Sequence, residues 1–137
     1  MWRNLLFFFP AGALMIGIYY LSSQPGEWIV KTISFTAKHD WGHLVAYFAL
    51  GAAICWGLLQ WGIPAPWKTA FYFTWLYGLT DELHQLRIPG RDFEFTDLLA
   101  DGIGALVGVL FVKSLSHRLK AKEKSAAQTK DDRKAKQ

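Results

Sequence analysis

Charges withdraw from long stretches of this chain and crowd into a few. Residues 4–26 carry no formal charge, and neither do residues 41–67. A helix needs about 20 apolar residues to cross the hydrocarbon core of a bilayer. Each window is therefore long enough for a spanning helix, one over residues 5–21 and another over residues 42–61. Two shorter charge-free runs follow, residues 69–80 and 102–112, of 12 and 11 residues. Neither spans as a purely apolar helix. Extended into their polar neighbours, they predict a third helix over residues 67–86 and a fourth from residue 95 or 96 to about 115. A charge near the bilayer centre costs roughly 2.5 to 3.5 kcal/mol on insertion scales, so the polar halves of these helices must turn toward the bundle interior or a wet cavity. The pattern predicts an all-α integral membrane four-helix bundle.

Turn residues fall where the pattern needs them. Pro10 lies in the opening turns of the first segment, where a missing N–H costs little. Ser22-Ser23-Gln24-Pro25-Gly26 closes that segment. A cleaved signal peptide is the competing reading, but no small-x-small cleavage pattern follows the apolar run. Residues 27–40 carry Trp28, Ile29, Val30 and Ile33 beside Glu27 and Lys31, which predicts a short amphipathic helix on the membrane surface. Pro64 and Pro66 end the second segment. Pro89-Gly90 makes a tight turn between the third and fourth.

Composition adds less than distribution does. The hydrophobic share is 52%, close to that of a soluble domain. The net charge of +4 conceals an uneven spread. Lys113, Arg118, Lys120, Lys122, Lys124, Lys130, Arg133, Lys134 and Lys136 face only Glu123, Asp131 and Asp132 in the C-terminal part, and the rest is slightly acidic. Beside a membrane helix this tail reads as a cytoplasmic anchor, with no nucleic acid as partner. Four helices place both termini on one side, which holds Arg3, Lys68 and the tail, and Lys/Arg bias makes that side cytoplasmic. The expected organisation is a transmembrane domain over residues 1–117 of a multi-pass inner (cytoplasmic) membrane protein. A basic, disordered cytoplasmic tail is expected over residues 118–137. The single cysteine, Cys55, cannot form an internal disulfide.

The candidate chemistry gathers at the opposite end. Residues 80–101 hold 6 of the 11 acidic residues. Asp81, His84 and Gln85 stand at i, i+3 and i+4 and share a helix face. Glu82 is rotated by about a hundred degrees from Asp81. With the helix starting near Trp67, Asp81 lies about 21 Å along it, below the membrane surface. In the fourth segment Asp97, Asp101, Gly104 and Gly108 form one seam, whose glycines allow close helix approach. Asp97 also suits a first-turn acid favoured by the helix dipole, a reading that explains the deeper Asp101 poorly. His43 and Tyr47 share a face at the start of the second segment, with Gly51 continuing it. Arg91 either neutralises nearby acids or grips an anionic headgroup in a fork. Imidazoles with pKa near neutrality beside carboxylates suit acid–base work or metal ligation. His39, four residues before His43, is a further candidate.

In this order, Ser22-Ser23-Gln24-Pro25, His43 with Tyr47, Asp81-Glu82-x-His84-Gln85, and Pro89-Gly90-Arg91 followed by Asp97, Asp101 and Gly104 resemble the VanZ-like family of small membrane proteins. The resemblance covers about residues 5–112. It implies a four-helix membrane domain with a polar outer site, and it supplies no reaction. Family members commonly carry Lys three residues before the first His. Here that position is Asp40, so no role of that lysine carries over.

Two functions fit these residues about equally. One is an enzyme acting on a polar membrane lipid or cell-envelope precursor, with Asp81, Glu82, His84 and His43 as catalytic groups. Gln85, Arg91, Asp97, Asp101, Tyr47 and Ser23 would bind the ligand. The other is a non-catalytic binder of such a headgroup in envelope homeostasis. A structural metal site is the third reading, with His43, Asp81, His84 and Asp101 as ligands and zinc or manganese as the fitting ion. Four short helices form no obvious alternating halves, which argues against a transporter.

Overall fold

The structure, a computed structural model, describes residues 5–32 and 41–134. Among the described residues the fold is all-α, with no strand. A 3-10 turn, Leu6–Phe8, leads into α1, Phe9–Ser22, followed by α2, Gly26–Thr32. Three longer helices follow: α3, Trp41–Gln60; α4, Pro66–Gln85; and α5, Phe95–Lys134.

The boundaries have local causes. Pro10 sits in the first turn of α1, where its missing donor is one of those a helix leaves unpaired anyway. Beyond Ser22 the turn is held by Ser23 N donating to Tyr19 O and Gln24 N to Leu21 O, and α2 leaves at 108° to the preceding helix. At the end of α3, Ile63 N donates to Leu58 O and Gly62 N to Leu59 O, with Gly62 at φ 76°. That is a Schellman closure, in which glycine takes the left-handed position without a Cβ clash. Pro66 then opens α4. Residues 86–94 form the last connection, in which Arg91 N donates to Ile88 O across Pro89-Gly90. The expected amphipathic helix over residues 27–40 corresponds to α2 in its first part. The remainder of that stretch lies outside the described residues.

The core forms where α3, α4 and α5 pack together with α1 against them. It is made of Ala11, Ile18, Tyr47, Leu50, Ile54, Cys55, Ala70, Val109 and Val112. The closest approach is between α3 and α5. A Cβ on Gly104 would collide with the Leu44 carbonyl, one on Gly108 with the Phe48 carbonyl, and one on Gly51 would lie 2.9 Å from the Ala105 carbonyl. The two backbones touch through a seam of small residues, the packing expected where dispersion replaces the hydrophobic effect.

Polarity is inverted relative to a soluble protein. Asp81, Glu82, Gln85 and Asp101 are buried, while Phe73, Leu76, Ile103, Leu110 and Phe111 are exposed. Exposed apolar surface of this extent needs a partner other than water, and hydrocarbon is the one that suits long helices. Helices α3 and α5 are long and apolar enough to cross a membrane, and α1 with α2 would add a third span if that bent pair is one. The 20 residues of α4 reach about 30 Å, and their acidic end points inward, as the short charge-free run predicts.

One feature differs from expectation. Composition predicts disorder beyond residue 118, and α5 instead continues to Lys134. From Leu119 to Arg133 its side chains are exposed. Alanine, lysine, glutamate and glutamine are good helix formers, and Gln128 donates to Asp132 one turn on, so the helix needs no packing partner to be regular.

Candidate functional site

Helix α4 buries one stripe: Ala70, Thr74 and Gly78, then Asp81, Glu82 and Gln85. Small residues let neighbours approach in its first part, and polar ones occupy its end. Gly78 leaves room for a carboxylate, because a Cβ there would sit 2.7 Å from Asp101 Oδ2. The start of α5 is tied to α4 by the Glu94 backbone N–H, which donates to Glu82 Oε2 at 3.0 Å. That bond sets Asp97 in the first turn of α5 and Asp101 one turn deeper.

These helices and the first turn of α3 build one centre. His43 Nδ1 lies 2.9 Å from Asp101 Oδ1, and its Nε2 lies 3.4 Å from Asp97 Oδ2. One ligand atom each of His43, Glu82 and Asp97 falls within 4.8 Å of the others. Beneath, the Tyr47 ring is stacked parallel to the imidazole at 6.2 Å, and Tyr77 lies 6.3 Å from Tyr47. Glu82 and Asp101 are each 0% exposed. Glu82 Oε1, Asp101 Oδ2 and the Tyr47 hydroxyl are buried without a hydrogen-bond partner. Each such atom costs folding free energy as long as it has no partner.

Hydrogen bonding fixes what His43 presents. Asp101 is an acceptor, so Nδ1 carries the proton between them, a tautomer assigned from the network. Nε2 then faces Asp97 and Glu82. An imidazole lone pair opposed to two carboxylates is repulsive unless a proton or another cation lies between them. Nε2 is thus the nitrogen that faces the acidic side of the cluster.

His84 joins a different group. Its Nε2 lies 3.0 Å from Ser23 Oγ, and its ring is 4.9 Å from that of Tyr19. The Ser23 hydroxyl donates to Tyr19 O at 2.7 Å, so its proton is committed and His84 Nε2–H is the donor. This pairing positions His84 against α1 and does not prepare Ser23 as a nucleophile.

The remaining candidates are spread around the same end. Asp81 accepts from Gln85 Nε2 at 3.4 Å, and both are buried. Arg91 is half-buried. Its Nε is buried without a hydrogen-bond partner, and among the described residues it forms no ion pair. Its loop docks on the α1–α2 turn, where Gly26 N donates to Pro89 O at 3.2 Å and a Cβ on Gly26 would collide with the Gly90 carbonyl. His39 and Asp40 lie outside the described residues. His43, Glu82, Asp97 and Asp101 thus come together, whereas His84 with Ser23, and Asp81 with Gln85, form their own pairs.

Sequence reasoning passed over Gly78, Tyr77 and the Glu94 amide, and it read Tyr19 only as a membrane-interface residue, without its contact to His84. Gly78 was legible as part of the four-residue spacing Ala70-Thr74-Gly78-Glu82. The other three have no local signal, because each acts across helices: Tyr77 donates to Met15 O at 2.8 Å, for example.

No curated protein and no solved structure matched the chain. The apolar helices enclose a polar end, and a family model, VanZ/LLP1, matches residues 1–116. The chain is a membrane protein and belongs to the VanZ/LLP1 family.

Proposed function

We propose that this is a multi-pass protein of the cytoplasmic membrane that acts on the polar part of a membrane lipid or cell-envelope precursor by hydrolysis or group transfer. In this reading four helices span the membrane, α4 among them, and both termini are cytoplasmic. The observation that carries the chemistry is His43, oriented by the fully buried Asp101 at 2.9 Å and presented to two further carboxylates. Such a pair fixes one tautomer and stabilises the imidazolium that forms when the other nitrogen takes a proton. Water or an alcohol at Nε2 would lose its proton there while its oxygen attacks the headgroup. A carboxylic acid of the cluster would return a proton to the leaving oxygen. Orientation rests on the basic side: Lys113 lies over the Trp67 ring at 4.9 Å, an interfacial anchor at the end opposite His43.

A second reading, non-catalytic binding of an anionic headgroup, has its own support. The Arg91 Nε is buried without a partner, and a guanidinium in that state is suited to a phosphate or carboxylate from outside the chain.

Purified protein in nanodiscs, supplied with lipid extract of its host membrane and followed by mass spectrometry, separates the two. The catalytic reading expects product formation, and His43→Gln is expected to lower the rate at least about a hundredfold while leaving the helical circular-dichroism signal in place. An unchanged rate in H43Q overturns the acid–base assignment. Stoichiometric lipid retention without product in either protein supports the binder.

A further inference from the structure

We propose that the centre is a divalent-cation site, with His43 Nε2, Glu82 and Asp97 as protein ligands and a first-row ion, zinc or manganese, as the occupant. The inference rests on reading this cluster as a reacting centre, and it names the cofactor of that centre.

Three observations lead there. First, the ligand atoms of His43, Glu82 and Asp97 lie within 4.8 Å of one another. Ligands about 2.0–2.2 Å from a common ion are spaced no wider than that. Second, Glu82 is 0% exposed and its Oε1 has no hydrogen-bond partner. Its other oxygen is occupied by the Glu94 amide at 3.0 Å, which fixes the carboxylate in place. Neither Glu82 nor Asp101 is paired with a lysine or arginine among the described residues. Third, Asp101 accepts from His43 Nδ1 at 2.9 Å. A carboxylate on the far nitrogen is the usual support of a metal-binding imidazole, because it fixes the ring and raises its basicity.

One imidazole and two carboxylates suit zinc or manganese more than calcium. Three protein ligands leave positions open for water or a headgroup oxygen. With an ion on Nε2 that nitrogen would not also take a proton; the ion would instead acidify a bound water and so supply the nucleophile. His84, which the sequence put among the metal ligands, is held by Ser23 and takes no part.

The test uses the full chain in detergent, freed of any affinity tag, stripped with chelator and dialysed against Mn²⁺ or Zn²⁺. The expected result is one ion per chain, with affinity lowered at least tenfold in H43A and in Glu82→Gln, and unchanged in His117→Ala. Should a site variant fail to fold, wild-type protein loaded with Mn²⁺ decides: pulsed electron paramagnetic resonance should show coupling to an imidazole nitrogen. Absence of that coupling, absence of stoichiometric binding, or binding that only H117A removes overturns the proposal. Turnover without metal would overturn this inference and leave the proposed function standing. Metal binding without turnover would do the reverse.

Discussion

Replacing Asp101 by alanine is expected to lower unfolding stability by about 3 kcal/mol, near the upper end for a hydrogen bond to a charged group. The carboxylate is fully buried and is the acceptor for His43 Nδ1 at 2.9 Å. Alanine would leave that donor buried and unsatisfied, and would open space against Gly78, which packs on the Asp101 side chain. Asparagine keeps the shape and one acceptor oxygen, so D101N should recover most of the stability. It changes the charge that orients the imidazole, so it should not recover function to the same degree. Denaturant titration in detergent, read by tryptophan fluorescence, measures both variants. Equal loss in D101A and D101N would mean that charge, and not the hydrogen bond, holds the centre together.

Gly108→Leu is expected to cost about 3 kcal/mol or more, because overpacking here meets backbone and not a movable side chain. A Cβ at this position runs into the Phe48 carbonyl. Helices α3 and α5 would have to separate, and separation pulls His43 from Asp101. G108A already carries the colliding atom and should destabilise in the same direction. Gly12 is the control: a Cβ there meets nothing within 4 Å. G12A should therefore be neutral, or stabilising by up to roughly 1 kcal/mol through helix propensity. Thermal unfolding of the three variants separates a seam from generic glycine effects. A neutral G108A would refute the close approach of α3 and α5.

These expectations also show where local information ends. The charge-free runs located every long helix to within about a residue at its start, because the energetic cost of charge in hydrocarbon is read directly along the chain. The seam of Asp101, Gly104 and Gly108 was legible from spacing, and so was the face shared by His43 and Tyr47. The rotational phase of α4 was not. Asp81, His84 and Gln85 share a face in sequence, yet Asp81, Glu82 and Gln85 are buried and His84 turns toward α1. That phase is set by Asp101 packing against Gly78 and by Ser23 holding His84, contacts 23 and 61 residues apart in the chain. Glu82 could not be singled out over Asp81 without the Glu94 amide that fixes it. The end of α5 was missed for the opposite reason: propensity alone sustains a helix there, and no burial pattern announces it.

The central claim is that the buried centre of His43, Asp101, Glu82 and Asp97 serves chemistry and not cohesion. Replacing both members of a buried polar pair by apolar residues of similar shape is often neutral or stabilising, whereas removing one is costly. The double variant His43→Leu/Asp101→Leu, assayed in nanodiscs for both unfolding midpoint and conversion of the host lipid extract, tests the claim most directly. The expected result is stability within about 1 kcal/mol of wild type with product formation abolished. Product formation at the wild-type rate in the folded double variant would contradict it.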